Sequence, residues 1–341
     1  MKTLYLECNM GAAGDMLMGA LLELIPDREN FLEKLNQAGI PGARVTVEKG
    51  IKCGITGTHV RVTVDGQEEY SLDAEPEDYG HHHLHGSGHS HDEASHEEHS
   101  QHSHAHNEQL HSHEGQFDKE HLHSHEGHSH KGHLHPHEEH IHEEHFHPHE
   151  EHSHKEYLHS HEGHSHQGHH HHGHTSLEDI SRMIDKLSVD DKVKEDVKTI
   201  YGMIAEAESQ VHGHPVSQIH FHEVGTVDAL TDITGCAMLM RQLEPEKIIV
   251  SPVTLGFGQV HCAHGILPVP APATALLLRG IPCMAGNIRG ELCTPTGAAL
   301  VKYYANAFGR MPEMVIEKIG YGMGTKDFEA ANCIRAILGE S

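Results

Sequence analysis

The chain lacks a long hydrophobic run, an excess of basic residues and any close cysteine pair, and each absence removes a class of function. No stretch approaches the roughly 18 apolar residues of a membrane span, so a membrane protein is not expected. The opening MKTLYLECNMGAAGDMLMGALLEL superficially resembles a signal peptide, but Glu7 and Asp15 interrupt its apolar stretch and argue against export. Lys and Arg number 24 against 51 Asp and Glu, a formal net charge of −27 with no basic stripe, which argues against nucleic acid as a partner. The seven cysteines are odd in number and scattered, without a C-x-x-C pair. That pattern points to a reducing, cytoplasmic setting and against a disulfide framework or a Cys-type structural zinc site. The P-loop signature G-x-x-x-x-G-K-[ST] is also missing.

What the chain has in excess is histidine: 37 of its 44 histidines fall between Gly80 and Thr175. The tract repeats internally. LHSHEGHSHKGH carries His123, His125, His128 and His130; LHSHEGHSHQGH carries His159, His161, His164 and His166 and runs into His169, His170, His171 and His172. H-x-H in an extended chain puts two imidazoles on one side, and the intervening Gly and Ser let several rings gather around one ion. Imidazole suits nickel, zinc and copper, so the tract reads as metal-binding, with the metal left open. Within residues 81–174 there are 17 Asp and Glu against three Lys and no Arg, so about half of the net charge is local to the tract and favours cations of any kind. A purification tag would be terminal and short; a passive His-rich linker is the remaining bland alternative.

Outside the tract, 247 residues suffice for a sizeable core. Residues 1–80 read as an N-terminal α/β segment: a buried strand TLYLEC, a glycine turn, helices near 15–24 and 30–37, and two alternating strands, 43–51 and 56–64, paired through Gly54. Residues 81–174 form the His-rich insertion, expected to be disordered. Residues 175–341 read as a second α/β segment packing with the first, with helices near 176–187, 190–211, 227–243, 273–279 and 295–307 and strands near 248–252, 258–261, 314–319 and 333–338. The expected class is α/β, with mixed α+β as its neighbour: one globular unit interrupted by the insertion, its strand order unspecified.

Three constellations could carry chemistry. His220, His222 and Glu223 in HFHEVG precede Asp228 and Asp232, whose i, i+4 spacing places both carboxylates on one helix face; His261 and His264 form a second pair in HCAHG. Metal ligation competes here with solvated histidines and a capping Asp. Two turn–helix junctions could hold a phosphate or simply be a tight turn and an ordinary cap: N-M-G-A-A-G-D, with Gly11, Gly14 and Asp15 beside Cys8, and T-P-T-G, with Thr294, Thr296 and Gly297.

Taken together, LECNMGAAGDMLMGALL, HTSLEDI, VHGHPVSQIHFHEVGTVDALTDITG, VSPVTLGFG, AHGILPVPAPATALLLRG, ELCTPTGAAL and GYGMGTKDF resemble the nickel-pincer cofactor nickel insertion proteins, the LarC family. The motifs span essentially all of the chain outside the tract. The resemblance implies an insertase, a lyase-class cyclometallase akin to metal chelatases. It would place Ni(II) into pyridinium-3,5-bisthiocarboxylic acid mononucleotide through one carbon–nickel and two sulfur–nickel bonds. It further implies a requirement for CTP with Mg or Mn, bound by a C-terminal domain that full-length relatives carry beyond the point matching Ser341. That domain could reside on a partner chain, and the product would serve enzymes such as lactate racemase. Asp15, His222 and Glu223 are the candidates for catalytic roles, which no family motif assigns. The competing class is a non-catalytic nickel store or metallochaperone.

Overall fold

TLYLEC is apolar on both faces because its strand runs inside a sheet. In the computed structural model of the chain, which describes residues 1–68, 72–73, 175–221, 227–262 and 265–341, Leu4 and Leu6 are wholly buried and Tyr5 nearly so. β1 (Lys2–Glu7) leads into α1 (Gly14–Leu22) and α2 (Arg28–Asn36), then the hairpin β2 (Ala43–Lys52) and β3 (Ile55–Val64), and the two-residue β4 (Leu72–Asp73). The described chain resumes with β5 (Thr175–Ser176), α3 (Leu177–Lys186), α4 (Asp191–His212), β6 (His220–Phe221) and α5 (Val227–Leu243). Five short strands follow: β7 (Lys247–Val250), β8 (Val253–Thr254), β9 (Gly256–Phe257), β10 (Gln259–Cys262) and β11 (Gly265–Pro268). After α6 (Pro272–Leu277) come β12 (Cys283–Met284), β13 (Gly290–Glu291), α7 (Pro295–Tyr304), β14 (Ala307–Phe308), β15 (Val315–Met323) and β16 (Cys333–Glu340). The histidine tract lies outside the described residues.

The main sheet has seven strands in the order β14-β7-β1-β16-β15-β3-β2. It is mixed: β1 runs parallel to β7 and antiparallel to β16, while β3 runs parallel to β15. Strands from before and after the tract therefore alternate within one sheet, and the fold is a mixed α/β arrangement. Helix α1 sits at its centre, with Met16, Leu17, Met18, Leu21 and Leu22 all buried between the sheet, α5 and α7. A helix apolar on every side belongs inside a core. None of the helices among the described residues is long and apolar enough to cross a membrane.

Several elements depart from the sequence reading: the helix expected to reach residue 307 ends at Tyr304, with Ala307 in β14, and the short strands β8, β9, β12 and β13 were not expected. The strand expected to stop at Ile319 continues through Gly320-Tyr321-Gly322-Met323. Glycine weakens a strand in isolation, but here α1 crosses so closely that a Cβ on Gly322 would lie 1.7 Å from the Met16 carbonyl oxygen. The two glycines form the groove that receives the helix.

Candidate functional site

The two turn–helix junctions, read separately from the sequence, lie back to back. Ala12 N–H donates to the Leu292 carbonyl at 3.0 Å, and Thr294 N–H donates to the Ala12 carbonyl at 3.0 Å. Gly11 has φ +81°, and a Cβ there would fall 1.9 Å from the Leu292 oxygen; one on Gly297 would fall 2.0 Å from the Ala12 oxygen. These two glycines let backbone pack against backbone, which joins the two junctions suggested for a phosphate into one seam. The Thr294 hydroxyl accepts from Gly297 N–H at 3.2 Å and caps α7, while Thr296 is half-buried in that helix's first turn.

Beside this seam opens a cleft of ≈ 160 Å³, on whose walls stand Asp15, Glu291, Thr294, Thr325, Lys326 and Asn332. Its outer wall, the loop after β15, is tied down on both sides. Lys52 Nζ donates to the Thr325 and Lys326 carbonyls at 3.3 Å each and to Asp327 Oδ1 at 2.6 Å. The Asn332 side-chain amide donates to the Lys326 carbonyl at 2.9 Å, and Gly324 N–H donates to the Asn332 carbonyl at 3.0 Å. His59 on β3 bridges hairpin and loop, with Nδ1 3.1 Å from Glu48 Oε1 and Nε2 3.3 Å from Thr325 Oγ1. His59, Lys52, Lys326 and Asn332 were not singled out from the sequence. Only Lys326 carried a signal, by lying in GYGMGTKDF.

Two carboxylates meet at the start of α1. Asp15 opens partly on the cleft, and Asp232 of α5 is 6% exposed behind it. A Cβ on Gly14 would sit 2.4 Å from Asp232 Oδ2, so glycine is what admits the second carboxylate. Burial pushes the Asp15 carboxyl up to about 6, against the lowering effect of hydrogen bonds from Met16 and its own N–H and of nearby His59. Asp232 is raised well above the ordinary range, by burial first and then by Asp228 and Asp15, although Asp15 N–H donates to it. Its Oδ1 has no hydrogen-bond partner among the described residues. The pair thus replaces the side-chain cap that Ala13 cannot provide to α1. Asp232, a candidate metal ligand by its spacing, lies in the core and accepts from Asp15 N–H at the start of α1. Cys8 is likewise interior: wholly buried, with burial pushing its thiol up to about 12.

Among the described residues no three His, Cys, Asp or Glu side chains converge to hold a metal ion. Asp228 lies half-buried on α5, near enough to Tyr201 to raise that phenol's pKa. His222, Glu223, His264 and the tract histidines lie outside the described residues. Both roots of the tract, however, are paired. On one side β4 pairs with β10, matching His261 with Leu72 and Val260 with Asp73. On the other, β5 pairs with β6, matching Ser176 with His220 and Thr175 with Phe221. The described strands that precede and follow the tract in sequence are therefore paired with the strands that carry His261 and His220. β10 in turn lies against β13, whose Glu291 lines the cleft.

Comparison with known proteins gives a concordant result. The family model described as nickel insertion protein matches residues 4–341. A pyridinium-3,5-bisthiocarboxylic acid mononucleotide nickel insertion protein from Geobacillus kaustophilus is 45% identical over 341 residues, covering 100% of this chain and 60% of the relative. A protein of the same name from Clostridium acetobutylicum is 36% identical over 341 residues, covering 100% and 64%. The chain thus spans under two thirds of the length of these relatives. No solved structure matches it significantly. With the family match running over essentially its whole length, the chain belongs to the nickel insertion protein family.

Proposed function

We propose that this chain gathers Ni(II) on its histidine tract and passes it into the folded part for insertion into pyridinium-3,5-bisthiocarboxylic acid mononucleotide. The observation that supports this reading is the pairing of β4 and β5, the described strands on either side of the tract in sequence, with the strands that carry His261 and His220. A nickel ion leaving either end of the tract meets first the segments that hold His220, His222 and Glu223, or His261 and His264. Those residues act as transfer ligands, and a store would have no use for such placement. Imidazole affinity rises from Fe²⁺ through Co²⁺ to Ni²⁺, which suits the cargo.

The cleft suits the ring end of the precursor. Asp15 and Glu291 complement a pyridinium cation, and Lys326 complements a thiocarboxylate anion. Its volume is below the ~300 Å³ at which sites begin to enclose a drug-sized ligand, so the ribose phosphate stays outside. For the same reason the cleft does not fit CTP. CTP, with its Mg or Mn, is assigned to the further length that the relatives possess, on a downstream domain or a partner chain. The product would go to a nickel-pincer-dependent enzyme such as lactate racemase. The free thiols favour a cytoplasmic site of action.

Two variants test the reading together. Replacing residues 81–174 with a short Gly/Ser linker should remove most nickel stoichiometry in equilibrium dialysis while leaving precursor binding at the parent level. Keeping the tract but adding about 20 flexible residues at each root should preserve nickel stoichiometry and slow nickel transfer about tenfold, because effective concentration falls with tether length. Parent-rate transfer from the loosened tract would refute the rooted hand-off. Loss of precursor binding with the tract would favour a store.

A further inference from the structure

Inserting a metal into a ring that carries sulfur donors at positions 3 and 5 brings the metal against carbon 4, between them. That carbon holds a hydrogen. Its C–H bond must break heterolytically: the electron pair becomes the carbon–nickel bond, nickel remains divalent, no oxidant is needed, and one proton must go to a base. The thiocarboxylates, ionised at neutral pH and committed to the metal, do not supply that base.

We propose that Asp15 is this base, its carboxylate taking the carbon-4 proton of a pyridinium ring seated in the cleft between α1, α7 and the loop after β15. The proposal rests on the preceding reading that the ring end of the precursor enters there. Elimination on the cleft walls favours Asp15. Lys326 is a cation, the threonine hydroxyls are poor bases, and both nitrogens of His59 are already engaged, by Glu48 and Thr325. Asp232 lies behind Gly14, away from the cleft wall. Glu291 shares the wall but sits on a two-residue strand, without a helix start beneath it. Asp15 alone combines access to the cleft with a fixed position at a helix N-terminus, where Met16 N–H and its own N–H orient the carboxylate.

The electrostatics agree with the geometry. Groups facing Asp15 are Asp232 and Cys236 from α5, His59 from β3, and Glu68 just past β3, with Asp228 facing Asp232; Glu291 and Lys326 stand on the cleft walls. Burial is the largest influence and holds the carboxyl near 6, so at neutral pH it is mostly ionised yet about as basic as an imidazole. A carboxylate in open water would be a much weaker base.

The test compares the parent chain with Asp15→Asn and Asp15→Glu, each with Ni(II), the precursor, CTP and the downstream domain of a full-length relative. Nickel stoichiometry and precursor affinity of each chain are measured separately from insertion. Asp15→Asn is expected to bind nickel as the parent does, to bind the precursor more weakly through loss of the carboxylate charge, and at saturating precursor to insert nickel about 100-fold more slowly or worse. Asp15→Glu should recover part of the rate. The parent rate should rise with pH through about 6 and then level off, and it should fall when carbon 4 carries deuterium. The Asn variant should lose the pH inflection. An Asn variant that inserts near the parent rate, or keeps the parent's inflection, overturns the assignment. A parent chain that inserts nickel but has no affinity for the precursor overturns the cleft reading beneath it, which is a distinguishable result.

Discussion

Asp15→Asn is expected to make the folded chain more stable at about pH 7.5, by roughly 3 kcal/mol at most. The Asp15 carboxyl moves from an ordinary 3.8 to about 6 on folding, chiefly through burial, so the folded state resists its ionisation. For a group whose folded pKa is raised, the favourable contribution is complete below the unfolded value and is lost as pH climbs through the folded one. Stability of the parent should therefore decline between about pH 4 and pH 6 from this residue and stay reduced above. An asparagine never ionises. Its amide oxygen can still accept from Met16 N–H. Urea unfolding of both proteins across this pH range measures the gap. It should be near zero at the acid end and open toward neutrality; a variant less stable than the parent at neutral pH would show that the ionised carboxylate is structurally required. A residue proposed as the base whose removal raises stability would carry its function at a structural cost.

Gly297→Ala should be strongly destabilising, by about 3–5 kcal/mol, although a single methyl at the first turn of a helix normally helps. The added Cβ would lie 2.0 Å from the Ala12 carbonyl oxygen and 2.7 Å from the Ala13 nitrogen. Both are backbone atoms of the seam, so no side chain can swing aside. Relief requires α7 to move away from the turn that starts α1, which breaks the hydrogen bond from Thr294 N–H to Ala12 and widens the cleft. Thermal unfolding should show a fall of many degrees, and precursor affinity of whatever folded fraction remains should drop with it. A variant of parent stability would mean that the seam is loose and that these junctions are independent turns.

Much of the fold was legible locally. The alternation in 43–51 and 56–64 marked the hairpin, and the helix expected from 176 opens on a reciprocal capping box between Ser176 and Asp179. One exception was the last turn of β15. Gly320 and Gly322 have poor strand propensity, and only the helix lying against them explains why they are there. The site was less legible. Asp15 and Asp232 were each noted, but 217 positions separate them and nothing in their spacing says that Asp232 accepts from the Asp15 N–H. His59 looked like an ordinary strand residue until β3 placed it beside the loop after β15.

By itself the sequence determined the histidine-rich composition of residues 81–174, the family resemblance and the positions of most helices, because composition, motif and periodicity are properties of neighbours along the chain. The tertiary structure alone decided that the two glycine junctions form one seam, that two acids share the start of α1, and that both roots of the histidine tract pair with histidine-bearing strands. These depend on strand order and on close backbone approach between distant segments, which burial of a common core imposes and no local pattern encodes.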